Sequence, residues 1–163
     1  LPVAFIRADA RCTPLAAGSF QVVLCLANSF GYGPTRGDDV QILQEARRLL
    51  QSGGQFFLEV ADPDYVRGHL PPQSWHEAGE LVVCRRRWLK EEYLVCREIV
   101  LSCNQGLVRD QAYKVRLYSA DDLRRCLEDA GFSQITVAGV PDLYARPGDY
   151  GALNRRLAAT AWK

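Results

Sequence analysis

Methionine is absent from the 163 residues, and histidine occurs only at His69 and His76. The six cysteines, Cys12, Cys25, Cys84, Cys96, Cys103 and Cys126, form no C-x-x-C pair, and the histidines do not sit at zinc-finger spacing. No bound metal is expected. No run approaches the ~20 apolar residues of a membrane span, and the opening residues do not read as a signal peptide. Charge of one sign is not in excess, with 20 Lys+Arg against 19 Asp+Glu. Nucleic acid and anionic membranes, which draw on a basic excess, are therefore not expected partners. Internal repeats, linkers and a conspicuous catalytic triad are also missing.

What is present supports one domain, 1–163, with a real core: 48% of the residues are hydrophobic and 24% charged. Most cysteines lie in apolar runs, where thiols act as small hydrophobes, and a reducing cytoplasmic setting follows. Arg85, Arg86 and Arg87 share a segment with Glu91, Glu92 and Glu98, which reads as a solvated strand or turn. The start, "LPVAFIRAD", already has strand character, and the chain is expected to be the interior of a longer protein.

The hydrophobic pattern predicts a strand at 3–8, a loop at 9–19 and a strand at 20–26. The run "FQVVLCL" is apolar at nearly every position, as in a strand covered on both faces. "DDVQILQEARRLL" (38–50) carries Val40, Leu43, Ala46, Arg47 and Leu50 at helical spacing, with Asp38 as N-cap. "SGG" turns the chain into a further strand at 55–60. Strand, helix and strand in alternation predict right-handed crossovers and a parallel sheet. Residues 61–80 read as loop. About 80–118 reads as antiparallel strands separated by "KEE" and "NQG". Ser119 and Asp122 form a capping box for a helix at 120–130, with Leu123, Cys126, Leu127 and Ala130 as its buried stripe. Gly131 ends that helix, 134–139 is a strand, 140–151 is a loop, and 154–162 is a last strand.

Three stretches, in order, resemble the class I S-adenosylmethionine-dependent methyltransferases. "ADARCTPLAAGSFQVVLCLANSFGYG" is similar to the family's third strand, acidic loop, fourth strand and following loop. "LQEARRLLQSGGQFFLEV" resembles the next helix, Gly-Gly turn and fifth strand. "YSADDLRRCLEDAGFSQITVAG" resembles the late helix, "AGF" turn and sixth strand. The resemblance implies a Rossmann-like α/β fold: a mostly parallel sheet with helices on both faces, plus the antiparallel insert. It implies S-adenosyl-L-methionine as cofactor and a small-molecule methyl acceptor. Such a cofactor is already activated, so alignment and exclusion of water carry most of the catalysis.

The resemblance also implies site residues. Asp9 and Ala10 would meet the adenine, while Leu26, Ala27 and Asn28 would line the methionine part. Ser29 and Tyr32 face the acceptor, with Tyr32 and His76 as catalytic candidates. Trp75, Arg97, Tyr113 and Tyr118 are substrate-side candidates in or near the added strands. Arg97 needs a partner if buried, such as Glu59, Glu98 or a substrate carboxylate.

The chain departs from the family pattern in three ways. The glycine-rich first turn and the ribose-binding acidic residue are absent, and Gln21 stands where the family usually has Asp. The chain by itself is therefore expected to be inactive, with an apolar flank through which it forms a homodimer. Two other readings stay open: a non-catalytic α/β binding or assembly domain on the same scaffold, and a nicotinamide-dependent enzyme.

Overall fold

A computed structural model describes residues 3–140 and 155–163. The first strand, β1 (Phe20–Cys25), runs into a loop, and helix α1 (Arg36–Leu49) carries the chain back to β2 (Leu50–Ala61), which pairs parallel to β1. A capping box starts α1: the Thr35 hydroxyl accepts from the Asp38 N–H at 3.2 Å, and the Asp38 carboxylate accepts from the Thr35 N–H at 2.9 Å. The N-cap is thus Thr35, and Asp38 takes the reciprocal N3 position instead of the cap itself.

The first helix–strand unit leads to α2 (Pro63–His69) and then to four strands joined by tight turns. These are β3 (Gln73–Ala78), β4 (Leu81–Lys90), β5 (Tyr93–Ser102) and β6 (Gly106–Arg116), each antiparallel to the next. Helix α3 (Ala120–Asp129), β7 (Ser133–Val140) and β8 (Arg156–Trp162) complete the order. Two sheets result, β1-β2-β8-β7 and β3-β4-β5-β6.

Helices α1 and α3 pack on one face of the first sheet. Leu43 and Ala46 of α1 and Leu123, Cys126 and Leu127 of α3 meet Phe56, Leu58 and Val60 of β2 and Ala159 and Ala161 of β8. Phe132, just past Gly131, stacks on Phe56 with ring centroids 5.3 Å apart. Each fully buried leucine here contributes about 1.5–3 kcal/mol relative to exposure. A smaller cluster of Ala61, Val66, Leu94, Val115 and Leu117 joins the end of β2 and α2 to the second sheet.

Several expectations need correction. The parallel character of the first sheet is only partial: β1 and β2 are its one parallel pair, and β8 runs antiparallel to both of its neighbours, β2 and β7, so that β1, β2 and β7 point one way and β8 the other. Residues 3–8 are not a strand, because no neighbouring strand is supplied by the described residues, and Phe5 is 95% exposed. β1 is not covered on both faces. Val23 and Cys25 reach the core, but Val22 and Leu24 stand in solvent, Leu24 at 57% exposure. Among the described residues, helices cover the other side alone. The 61–80 stretch is not all loop: Asp62 caps α2 by accepting from the Asp64 and Tyr65 N–H groups. Pro63 occupies the first turn, where its missing N–H is not needed. The 140–151 loop lies outside the described residues apart from Val140, which ends β7.

The two faces of the first sheet make opposite demands on substitution. Leu58→Ala should cost about 2–5 kcal/mol in urea unfolding, whereas Leu24→Ala should change stability by less than about 0.5 kcal/mol. Equal losses would show that the β1 face is buried after all.

Candidate functional site

Just past the end of β1 the backbone turns through two consecutive left-handed non-glycine residues, Ala27 (φ 56°) and Asn28 (φ 59°). Each costs about 1–2 kcal/mol, so surrounding contacts must hold the turn. The Asn28 side chain is buried, and its Oδ1 accepts from the Ala61 N–H at 2.9 Å, tying the loop to the end of β2. The Asn28 side chain also tempers the rise that burial imposes on the pKa of the nearby Tyr32 phenol. The Ser29 hydroxyl donates to the Leu26 carbonyl at 2.7 Å. Leu26 and Ala27 remain exposed at the strand end, where a ligand has access to them.

Phe30 is wholly buried, its ring centroid 5.1 Å from that of Tyr118. Gly31 (φ +94°) is needed because a Cβ there would lie 2.7 Å from the Arg116 carbonyl oxygen. The Arg116 N–H in turn donates to the Gly31 carbonyl at 2.8 Å. This close approach brings Tyr32 against the second sheet, its ring centroid 6.1 Å from that of Tyr113. Burial raises the pKa of both phenols, so they stay neutral at physiological pH.

Register defines the face that Tyr113 occupies. Tyr113 lies opposite Cys96, and Cys96 opposite Arg87. The next row on that face holds Gln111, Glu98, Arg85 and Ser74. Arg87 is 8% exposed and donates to the Ser74 hydroxyl at 2.7 Å. Burial pulls its guanidinium below the usual value. Glu98 accepts from Arg85 at 2.6 Å and from Arg109. The Arg85–Arg87 run is therefore not a uniformly solvated strand: Arg85 and Arg87 point inward and Arg86 outward.

The same alternation sorts the other candidates. Trp75 and Arg97 fall on the outward face, opposite to Tyr113. Trp75 is 67% exposed, and Arg97 makes a two-pronged ion pair with Asp110 at 2.6 and 2.9 Å. They line a 340 Å³ groove with Cys84, Arg86 and Ile99, facing away from Tyr32. His76 is on the inward face, but opposite Val83, four residues along β4 from Arg87. That is about 13 Å along the strand, outside the Tyr32–Tyr113 contact. Tyr118 is fully buried and donates to Asp39 at 2.6 Å, so it is a core residue without access to a substrate.

The loop carrying Asp9 and Ala10 is fastened to α1. The Asp9 carboxylate accepts from Arg11 at 2.7–3.2 Å, and Arg11 also pairs with Asp38 at 2.5 Å. The Thr13 N–H and hydroxyl both donate to Glu45, at 2.9 and 2.6 Å. Arg48 donates to Glu45 and to the Leu15 carbonyl. Asp9 is exposed, and both of its carboxylate oxygens accept from Arg11. Among the described residues, no group of His, Cys, Asp and Glu is arranged to hold a metal ion.

Sequence reasoning missed Asp39, Arg87 and Arg116. Asp39 follows Asp38 in what reads as a capping run, and the two arginines lie in strands whose facing cannot be set without register. An alternation count over 81–90 would have separated Arg87 from Arg86.

Comparison with known proteins fits this geometry. A family model described as a methyltransferase domain matches residues 1–58. No curated protein sequence matches the chain. An S-adenosylmethionine-dependent methyltransferase from Clostridium acetobutylicum has a similar structure, with TM-score 0.71 and 12% identity over 95% of this chain and 62% of that one. So does CalS10, an amino pentose methyltransferase from Micromonospora echinaspora (TM-score 0.65, 17% identity, 96% and 63% coverage). A third is the sugar N-methyltransferase KedS8 from Streptoalloteichus (TM-score 0.62, 18% identity, 96% and 60% coverage). The fold is therefore that of the S-adenosylmethionine-dependent methyltransferases, and the chain spans 60–63% of the length of these structures.

The loop anchors should respond to acid. The Glu45 carboxyl is held down to about 2, from an ordinary 4.5, chiefly by the hydrogen bond from Arg48 and then by Thr13. Asp9 is lowered to about 2, chiefly by Arg11. A carboxylate with a lowered folded pKa supports the fold above its unfolded pKa, and that support fades as pH falls through the folded value. The Thr13 amide resonance should accordingly titrate with a midpoint near pH 2, and Glu45→Gln should abolish the transition. A midpoint at 4.5 in the unsubstituted chain would remove Glu45 as the anchor.

Proposed function

We propose that this chain forms the acceptor side and part of the cofactor side of an S-adenosylmethionine-dependent methyltransferase acting on the nitrogen of a small molecule. The observation that carries the reading is the strained, over-determined turn at Ala27–Asn28, which presents Tyr32 against Tyr113 at the end of a parallel strand. Ligands of open α/β sheets bind beyond the carboxyl ends of such strands. The amino-sugar and sugar-nitrogen substrates named for two structural neighbours support nitrogen as acceptor.

In this reading the Asp9 carboxylate accepts from the adenine amino group and the Ala10 N–H meets a ring nitrogen. Leu26, Ala27 and Asn28 line the methionine part, and the bound cofactor supplies an electrophilic methyl group on sulfur. Ser29 and Tyr32 orient the acceptor. The Tyr32 phenol, kept neutral by its burial, acts as a hydrogen-bond partner and not as an ionised base. The amine attacks in its neutral form, after its ammonium proton has gone to solvent; the new N–C bond replaces the S–C bond, the neutral thioether leaves, and the product nitrogen is cationic. Two tyrosine faces favour that cation by about 0.5–2 kcal/mol. The glycine-rich turn and ribose carboxylate of the family have no counterpart here, and we assign them to a longer parent protein. The chain functions as one domain in a reducing compartment, with the apolar β1 face as a route to homodimers.

Calorimetric titration tests the reading. This chain should bind S-adenosylmethionine more weakly than about 1 mM, because each surviving hydrogen bond contributes only about 0.5–1.5 kcal/mol. In the longer parent, Asp9→Ala should weaken binding by about 1–2 kcal/mol. Tyr32→Phe should lower turnover more than cofactor affinity. Unchanged affinity in Asp9→Ala would remove Asp9 from the site. Micromolar binding to a monomer of this chain would overturn the assignment of the missing half.

A further inference from the structure

We infer that Asp39 and Arg116 are positioning residues: their side chains form a buried ion pair, and the Asp39 carboxylate and the Arg116 main-chain N–H hold the backbone on the two sides of Tyr32 and so set where its phenol stands. The inference rests on the methyltransferase reading only for the purpose of that placement. The grip itself is geometric.

Asp39, on the first turn of α1, is 0% exposed, and Arg116, at the end of β6, is 2% exposed. The two side chains form an ion pair through Arg116 Nη1 and Asp39 Oδ2. Asp39 Oδ1 accepts from the Gly33 N–H at 3.1 Å. The Arg116 N–H donates to the Gly31 carbonyl at 2.8 Å. The residue before Tyr32 is thus held by one partner and the residue after it by the other. Neither glycine has room for a side chain. A Cβ at Gly33 would lie 2.6 Å from Asp39 Oδ1, and one at Gly31 would lie 2.7 Å from the Arg116 carbonyl oxygen.

The rest of the cluster keeps the pair from shifting. Arg116 Nε donates to Glu92 at 3.0 Å and Nη2 to the Tyr93 hydroxyl at 2.5 Å. Its guanidinium lies 4.9 Å from the Tyr93 ring centroid. The Tyr118 hydroxyl donates to Asp39 Oδ2 at 2.6 Å. A buried ion pair is a poor source of net stability, because desolvation offsets the attraction. What it provides is intolerance of misplacement: sliding the loop leaves a charge or an N–H without a partner in a site closed to water. The same arginine is rooted in the strand that carries Tyr113, so the pair fixes Tyr32 relative to Tyr113 as well as to β1.

Amide hydrogen exchange on this chain tests the inference. Asp39→Asn keeps the shape and an acceptor for Gly33 but removes the charge. The Tyr32 and Gly33 amides should exchange about tenfold faster, while Arg87 and Cys96 in the second sheet and Leu127 in α3 stay within about twofold of the unsubstituted chain. Tyr118→Phe, which removes one hydrogen bond and leaves the ion pair, should have a smaller effect on the same two amides. If Asp39→Asn does not fold, Glu92→Gln reads the grip from its exposed end, with the same local pattern expected. Unchanged exchange at Tyr32 and Gly33 would overturn the inference, and so would equal acceleration at all five positions, the mark of a merely structural role. Failure of the parent to transfer methyl groups would count against the proposed function and leave the exchange result standing.

Discussion

One carboxylate joins three parts of this molecule. Asp39 sits at the start of the helix between β1 and β2, yet its donors come from elsewhere: Gly33 in the strand-end loop, Arg116 at the end of the second sheet, and Tyr118 at the entrance to α3. Removing it from water without partners would be costly, so the fold that buries it must also bring those three donors together. Phe30 packing on Tyr118, and Arg36 lying 5.6 Å from the same ring centroid while pairing with Glu92 and Asp122, follow from that convergence. The two sheets touch through a small apolar cluster, and the Asp39–Arg116 pair ties the helix between β1 and β2 to the end of β6.

Local signals were the most legible ones. Ser119 and Asp122 gave the start of α3 because a capping box is a contact between residues three apart. The stripe of Leu123, Cys126 and Leu127 was readable for the same reason, and the antiparallel strands announced themselves by their turns. Tyr32 and Asn28 stood out because two glycines and a phenol follow an apolar strand. What the sequence hid depends on partners distant along the chain. The pairing of β8 with β2 joins residues about a hundred positions apart, so its direction had no local signature. Arg87 read as solvated and Arg97 as a substrate-side candidate, and register put the first inside and the second outside. Residues 3–8 have the composition of a strand but, among the described residues, no neighbour to pair with.

The first sheet is asymmetric in a way that composition does not show. One face is closed by α1 and α3, while β1 presents Val22 and Leu24 on the other. The loop bearing Asp9 runs along α1 and is held by ion pairs and hydrogen bonds to Asp38 and Glu45 instead of by apolar packing. The proposed adenine contact therefore rests on charge, and the proposed acceptor contact rests on backbone geometry. The two halves of the site would respond differently to salt, since exposed ion pairs are screened and buried ones are much less so.

The order in which the strands are strung has a consequence for biogenesis. β3 to β6 are neighbours in both sequence and space, so each pairing closes a loop of only a few residues, and this sheet can form as soon as it is made. The first sheet cannot. Its second strand waits for a partner that ends at Trp162, beyond every other element. During synthesis the second sheet would stand finished while Leu58 and Val60 still lacked the Ala159 and Leu157 that complete their row. The interval between those two events is when this chain has most need of a chaperone, and its length is set by the ribosome's pace between Arg116 and Trp162.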